Sequence, residues 1–360
     1  MARRIWEDAM KTAAQGGSEL DVFADLEQGE STRSSNAEIV TTVKLDRIVV
    51  GTSALQYNYD GTVLAAGFRG GAVKLFDPLT GKMLRGLMPN THGGHAVLCL
   101  RFHPTKPDLL YSTTAEGHVY LINIKTAEAT RIITDEGNEI NCLDFSNDGN
   151  TYAISGKSLD VYIYQTKTNK LIRKYEGNWG TQVNPDVEGD NAIRLFALKY
   201  VPHDWNAFIT AGNDNHIKVW DNRSKQGIIR RIHGPYICGD ALDMRDDYIL
   251  AGSWCANHAL QVFDYGEGTL VREIDFPSTN GAFLYCAQYC DNNVVLAGGS
   301  GTNSACVLEV LPGETQPKPG VNNLLTVQCE QPVQTLDSAN GGRLFAVGGE
   351  DNYLKLCTMS

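Results

Sequence analysis

No apolar run in this 360-residue chain approaches the roughly 20 residues that a membrane-spanning helix needs. No signal-peptide pattern opens it, and its first segment is too acidic for a mitochondrial transit peptide. Basic charge is also short: 31 Lys and Arg stand against 42 Asp and Glu, a formal net charge of −11. Phosphate neutralisation needs clustered cations, so no nucleic acid is expected as a partner, and Arg230-Arg231 reads as a solvated turn. The nine cysteines lack the spacing of a zinc site or a secreted disulfide framework and read as reduced, buried thiols. Cys286 and Cys290, four apart on an expected strand, would sit about 13 Å apart and could not hold one metal. Nucleophile elbow, phosphate-cradling glycine loop and HExxH helix are all missing. Gly298-Gly299-Ser300-Gly301 joins two strands with no helix to follow. No catalytic residue, cofactor or metal is therefore assigned. A soluble, intracellular, non-enzymatic protein is the expectation.

What the chain does have is glycine, 36 residues of it, and an internal repeat. Seven stretches align: VLAAGFRGGAVKLFD ending at Asp77, LLYSTTAEGHVYLIN at Asn123, YAISGKSLDVYIYQ at Gln165, AFITAGNDNHIKVWD at Asp221, YILAGSWCANHALQVFD at Asp264, VVLAGGSGTNSACVLEV at Val310 and LFAVGGEDNYLKLCT at Thr358. Each is an apolar strand, a small-residue turn and a second, alternating strand. Successive ends lie roughly 42 to 56 residues apart, close to the four-strand period of a propeller blade. About a dozen residues before each core, a further strand carries Ala54, Cys99, Cys142, Ala197, Ala241, Cys286 or Thr335 in one register. All seven are small, as crowding at a propeller axis requires. Asp60-Gly61 and Asp148-Gly149 supply turn signals between first and second strands.

These residues resemble a WD-repeat β-propeller over residues 39–360. Blade four carries the family dipeptide at Trp220-Asp221, with Asp214 six residues before the Trp. Elsewhere it degrades to Phe76-Asp77, Phe263-Asp264, Ile122-Asn123 and Tyr164-Gln165, and the family's Gly-His signature appears once, at Gly94-His95. The resemblance implies an all-β, seven-bladed β-propeller with an N-terminal strand closing the last blade, plus a short N-terminal extension. The seventh repeat ends after three strands, so residues 39–45 are expected to complete it and remove an exposed edge.

Departures from the repeat are where function is sought. The first is the insertion Glu176–Asp190 with Trp179, expected on the face formed by second-to-third-strand loops and blade connections. The same rim would carry Phe68-Arg69, Asn213–His216, Trp254 and His258 in the long turn Ser253–Ala259, Gly298–Ser304 and Glu350–Tyr353. Its aromatic, amide and acidic groups suit a basic or Arg-containing peptide. Asp214 is expected to cap its own turn, and His216 and His258 to face solvent. On the opposite face lies the proline-rich loop Leu311–Gly320, a linker or a contact segment. Residues 1–38 form a docking extension in which Ile5, Trp6, Ala9, Met10 and Ala13 share one helical stripe, and Leu20, Phe23 and Leu26 punctuate an acidic segment.

Three functions are weighed. The leading one is a scaffold subunit of a larger cytoplasmic complex, of cytoskeletal or ciliary style, binding other proteins through Trp6, Met10, Phe68, Arg69, Trp179, Trp254 and His258. The second is a substrate receptor of a cullin-4 ubiquitin ligase, because residues 208–223 resemble an adaptor-binding box ending at Arg223. The third is an enzyme using His258, Asn257 and Asp214 at the channel mouth.

Overall fold

The computed structural model describes residues 37–45, 51–89, 94–177, 193–278, 281–291, 293–310 and 321–359. The extension with Trp6 and Met10, the Trp179 insertion from residue 178 to 192 and the proline-rich loop 311–320 lie outside them. The described residues form seven four-stranded antiparallel sheets, the blades of a propeller. Burial is graded across each blade: all of Leu64–Phe68 in blade one is buried, while the outer strand Met83–Met88 is exposed over its first four residues. Gly61 and Gly149 take φ of 66° and 69° in the first hairpins, so the Asp-Gly turns form where the sequence places them.

The ring closes through the chain's first described strand. Ala37–Lys44 pairs antiparallel with Tyr353–Met359, from Ala37↔Met359 to Lys44↔Tyr353. It begins two residues before the expected 39–45, and Leu45 beyond it is buried and donates its N–H to the Asn352 carbonyl at 2.8 Å. Outermost pairing in blade seven thus comes from the opposite end of the chain, which covers the edge.

Irregularities recur in register. In blades one, two, four, six and seven the pairing of the two inner strands slips just before the small residue, at Thr52/Ala54, Val97/Cys99, Leu195/Ala197, Leu284/Cys286 and Val333/Thr335. A bulge adds twist and re-aims the residue it skips. Four of the five skipped residues, Ser53, Leu98, Phe196 and Gln334, line the upper mouth of the channel, the end at which second-to-third-strand loops emerge.

Blade four is built around a buried indole. Trp220 is fully buried, stacks on Phe208 at 5.7 Å and donates from Nε1 to Thr210 Oγ1 at 2.9 Å. Asp214 caps the turn by accepting the His216 N–H at 3.3 Å, and its other oxygen pairs with the buried Lys218 ammonium. Burial lowers the Lys218 pKa, opposed by Asp214.

Candidate interaction site

The innermost strands converge on a channel whose wall is polar. Two residues after each small position stand Gln56, Arg101, Asp144, Lys199, Asp243, Gln288 and Asp337, one per blade. Because the innermost strand has no inner neighbour, its backbone N–H groups are orphaned unless a side chain reaches them. The aspartates do so from the preceding blade. Asp144 accepts the Tyr200 N–H at 2.8 Å, Asp243 the Tyr289 N–H at 2.8 Å, and Asp337 the Tyr57 N–H at 2.5 Å. Ser53 Oγ donates to the Val97 carbonyl at 2.5 Å, and Asn141 Nδ2 to that of Leu195 at 2.8 Å. Thr335 Oγ1 accepts the Leu55 N–H at 3.1 Å. Each contact joins one blade to the next.

Ion pairs complete the ring. Arg101 Nε lies 3.7 Å from Asp144, and Lys199 Nζ 3.9 Å from Asp243. Arg101 also crosses the channel to Asp240 of blade five, Nη2 to Oδ2 at 2.6 Å. Burial pushes the Asp144 and Asp243 carboxyls up, against the pull of Lys199 and other donors. Asp337 has only neutral donors in contact, Tyr57 N–H with Gln56 and Gln288, and burial raises its pKa to about 6. At Asp240 burial also opposes ionisation, but Arg101 and Lys199 outweigh it and hold the carboxyl low. Arg101 borders two cavities, about 420 Å³ at the upper mouth and about 270 Å³ at the lower one. No motif singled out this ring, although the alignment that found the small residues places a polar one two positions on in every blade.

The upper rim is acidic and carries an anchored indole. Trp254 is 39% exposed while its N–H donates to the Tyr236 carbonyl at 2.7 Å, and a bridge pairs it with Phe283. Its ring lies 4.9 Å from that of Phe283 and 6.4 Å from that of Tyr236. Glu116, Glu136, Asp275 and Glu330 are exposed on the same end. Arg69 is half exposed and paired with Glu350 at 2.6 Å, and the exposed His258 contacts Glu273 at 2.8 Å.

Two expectations for the rim need correction. Phe68 offers no surface: it is wholly buried, because its N–H bonds to Ala72 O at 3.0 Å and the strand continues through it into the core. His216 is half-buried rather than solvent-facing, with Nδ1 2.7 Å from the Asp214 carbonyl and its ring 5.2 Å from that of His233. Arg223 lies at the other end of blade four, in the hairpin between third and fourth strands, bracketed by Asp221 at 2.8 Å and Asp204 at 2.7 Å. The nine cysteines are free; Cys99, Cys142, Cys286, Cys306 and Cys357 are buried, and the other four are half-buried. Among the described residues no group of His, Cys, Asp and Glu is placed to hold a metal, and no helix is long and apolar enough to cross a membrane. Compared with models of known protein families, the chain matches none.

Proposed function

We propose that this protein is a non-catalytic interaction scaffold, a WD-repeat-type propeller that docks basic segments of other proteins on its upper rim within a larger intracellular assembly. The observation that carries it is Trp254, an exposed indole fixed by its own backbone on an acidic rim. Anchored aromatics lose little entropy on binding and dominate interface energies. The channel supports the same reading, since its charged groups are engaged in holding blade to blade rather than poised as acid, base or nucleophile. Residues 1–38 are assigned as a second contact segment on sequence grounds. A cytoskeletal or ciliary setting remains part of the proposal. Affinity capture from the native source with Trp254→Ala tests it.

The ligase-receptor reading has one observation in its favour. Arg223 is 61% exposed on the lower face, and Asp221 and Asp204 hold its guanidinium in a fixed direction. Such exposed pairs are worth little, so an adaptor carboxylate could replace them.

A further inference from the structure

Blades five and six leave a cavity of about 230 Å³ in the lower half of their seam. Elsewhere in this seam aliphatic side chains close the gap; here Val262, Ile274, Val295 and Val310 form an apolar floor that reaches the surface. Its wall is cationic. Arg272 stands opposite Val262 in the outer strand pair of blade five, half-buried, with no ion-pair partner among the described residues. Arg245, from the inner strand of the same blade, lies over the Tyr289 ring with its guanidinium carbon 4.7 Å from the centroid. Tyr289 is in turn the cross-strand neighbour of Val295 on blade six.

Arg245, Arg272 and Tyr289 line the cavity together. Burial pushes the Tyr289 phenol up and Asp243 adds to this, while Arg245 and Arg272 pull it back. Two described acids stand beside this wall. Asp243 is committed to Lys199 and the Tyr289 N–H, and Asp246 is exposed on the hairpin at the cavity's edge. In a chain of net charge −11, two arginines and one aspartate, Asp246, line this apolar floor.

We propose that this groove binds a small organic anion, a carboxylate or phosphate head carried on an apolar body. The cavity sets the size. It lies below the span of ordinary drug-sized pockets, and at about 30 Å³ per water it takes roughly eight to ten non-hydrogen atoms. Arg272 reads the head by forked, charge-assisted hydrogen bonds, Arg245 adds its positive charge to the same wall, and the valine floor takes the body. This site lies apart from the upper rim and stands or falls independently of the scaffold reading.

Calorimetric titration of the full chain tests it with hexanoate and butyl phosphate as probes. Either anion should bind in the high-micromolar to millimolar range, as its size allows. Hexanol, which lacks the charge, and inorganic phosphate, which lacks the body, should bind about tenfold more weakly or not at all. Arg272→Gln, at a half-buried position, should keep the fold and weaken the anions about tenfold. Hexanol or inorganic phosphate binding as well as the organic anions would overturn the proposal from the wild-type protein alone. So would anion binding unchanged in Arg272→Gln, or no binding by either anion.

Discussion

Arg101 of blade two and Asp240 of blade five meet at 2.6 Å across the channel, a contact between residues 139 apart in sequence. Arg101 is nearly buried, whereas Asp240 keeps 41% of its side chain open to the channel, so the pair is neither a surface bridge nor a dry one. Its partners also include Asp144 and the Leu100 carbonyl, which makes the arginine the hub of the ring.

Removing the hub should therefore cost more than removing its partner. Arg101→Met leaves Asp240 without its principal cation and Asp144 with Lys199 alone, and should lower stability by about 2–3 kcal/mol. Asp240→Asn leaves Arg101 with Asp144 and should cost about 1 kcal/mol. Urea midpoints of the two variants check the order; equal costs would mean that Asp144 contributes nothing to holding the guanidinium.

Asp337 should make the propeller less stable at neutral pH than in mild acid. Its folded pKa of about 6 lies above the unfolded 3.8, so its proton-linked stability is fully present below the unfolded value. That contribution disappears as pH rises through 6. Asparagine in its place still accepts the Tyr57 N–H and offers an N–H to Gln56 or Gln288, whose Oε1 atoms have no donor. Asp337→Asn should accordingly gain about 1–2 kcal/mol over the wild type at pH 7.5, and the gain should vanish towards pH 4. Chemical denaturation at both pH values measures it. A pH-independent difference would show that the carboxyl titrates normally.

The closing strand makes a sharper prediction about truncation. Removing residues 1–36 leaves every pair between Ala37–Lys44 and Tyr353–Met359 in place, so thermal unfolding should scarcely change. Removing residues 1–45 exposes the edge of Tyr353–Met359 and uncovers Leu354 and Leu356, and the protein should aggregate. Light scattering during heating distinguishes the two.

Much of this was legible in the chain because it is local. Period-two alternation, Asp-Gly turns and the recurring small residue each report on a few neighbouring positions, and together they set blade number and closure. Phe68 shows the limit: whether a strand ends before or after an aromatic depends on how tight the next turn is, and Arg69-Gly70-Gly71 turns late enough to keep that ring in the core. The polar ring was visible as a column of residues, but its pairings were not. Which side chains meet is decided by reach across the axis: Arg101 finds Asp240, which stands outside the column of seven and follows no repeat period. The groove between blades five and six lies deeper still, since Arg272 and Arg245 look like ordinary surface cations until Tyr289 and Val295 face them from the next blade.

Affinity capture from the native source tests the scaffold role most directly, with each variant first shown folded by circular dichroism. If the upper rim and the N-terminal extension are the docking surfaces, Trp254→Ala should reduce recovery of a specific partner about tenfold or more. Trp6→Ala with Met10→Ala should do the same, and Arg223→Ala should recover every partner at the wild-type level. Full recovery by the Trp254 and Trp6/Met10 variants, together with loss of a ubiquitin-ligase adaptor in Arg223→Ala, would contradict the scaffold role and place the binding face at the other end of the propeller.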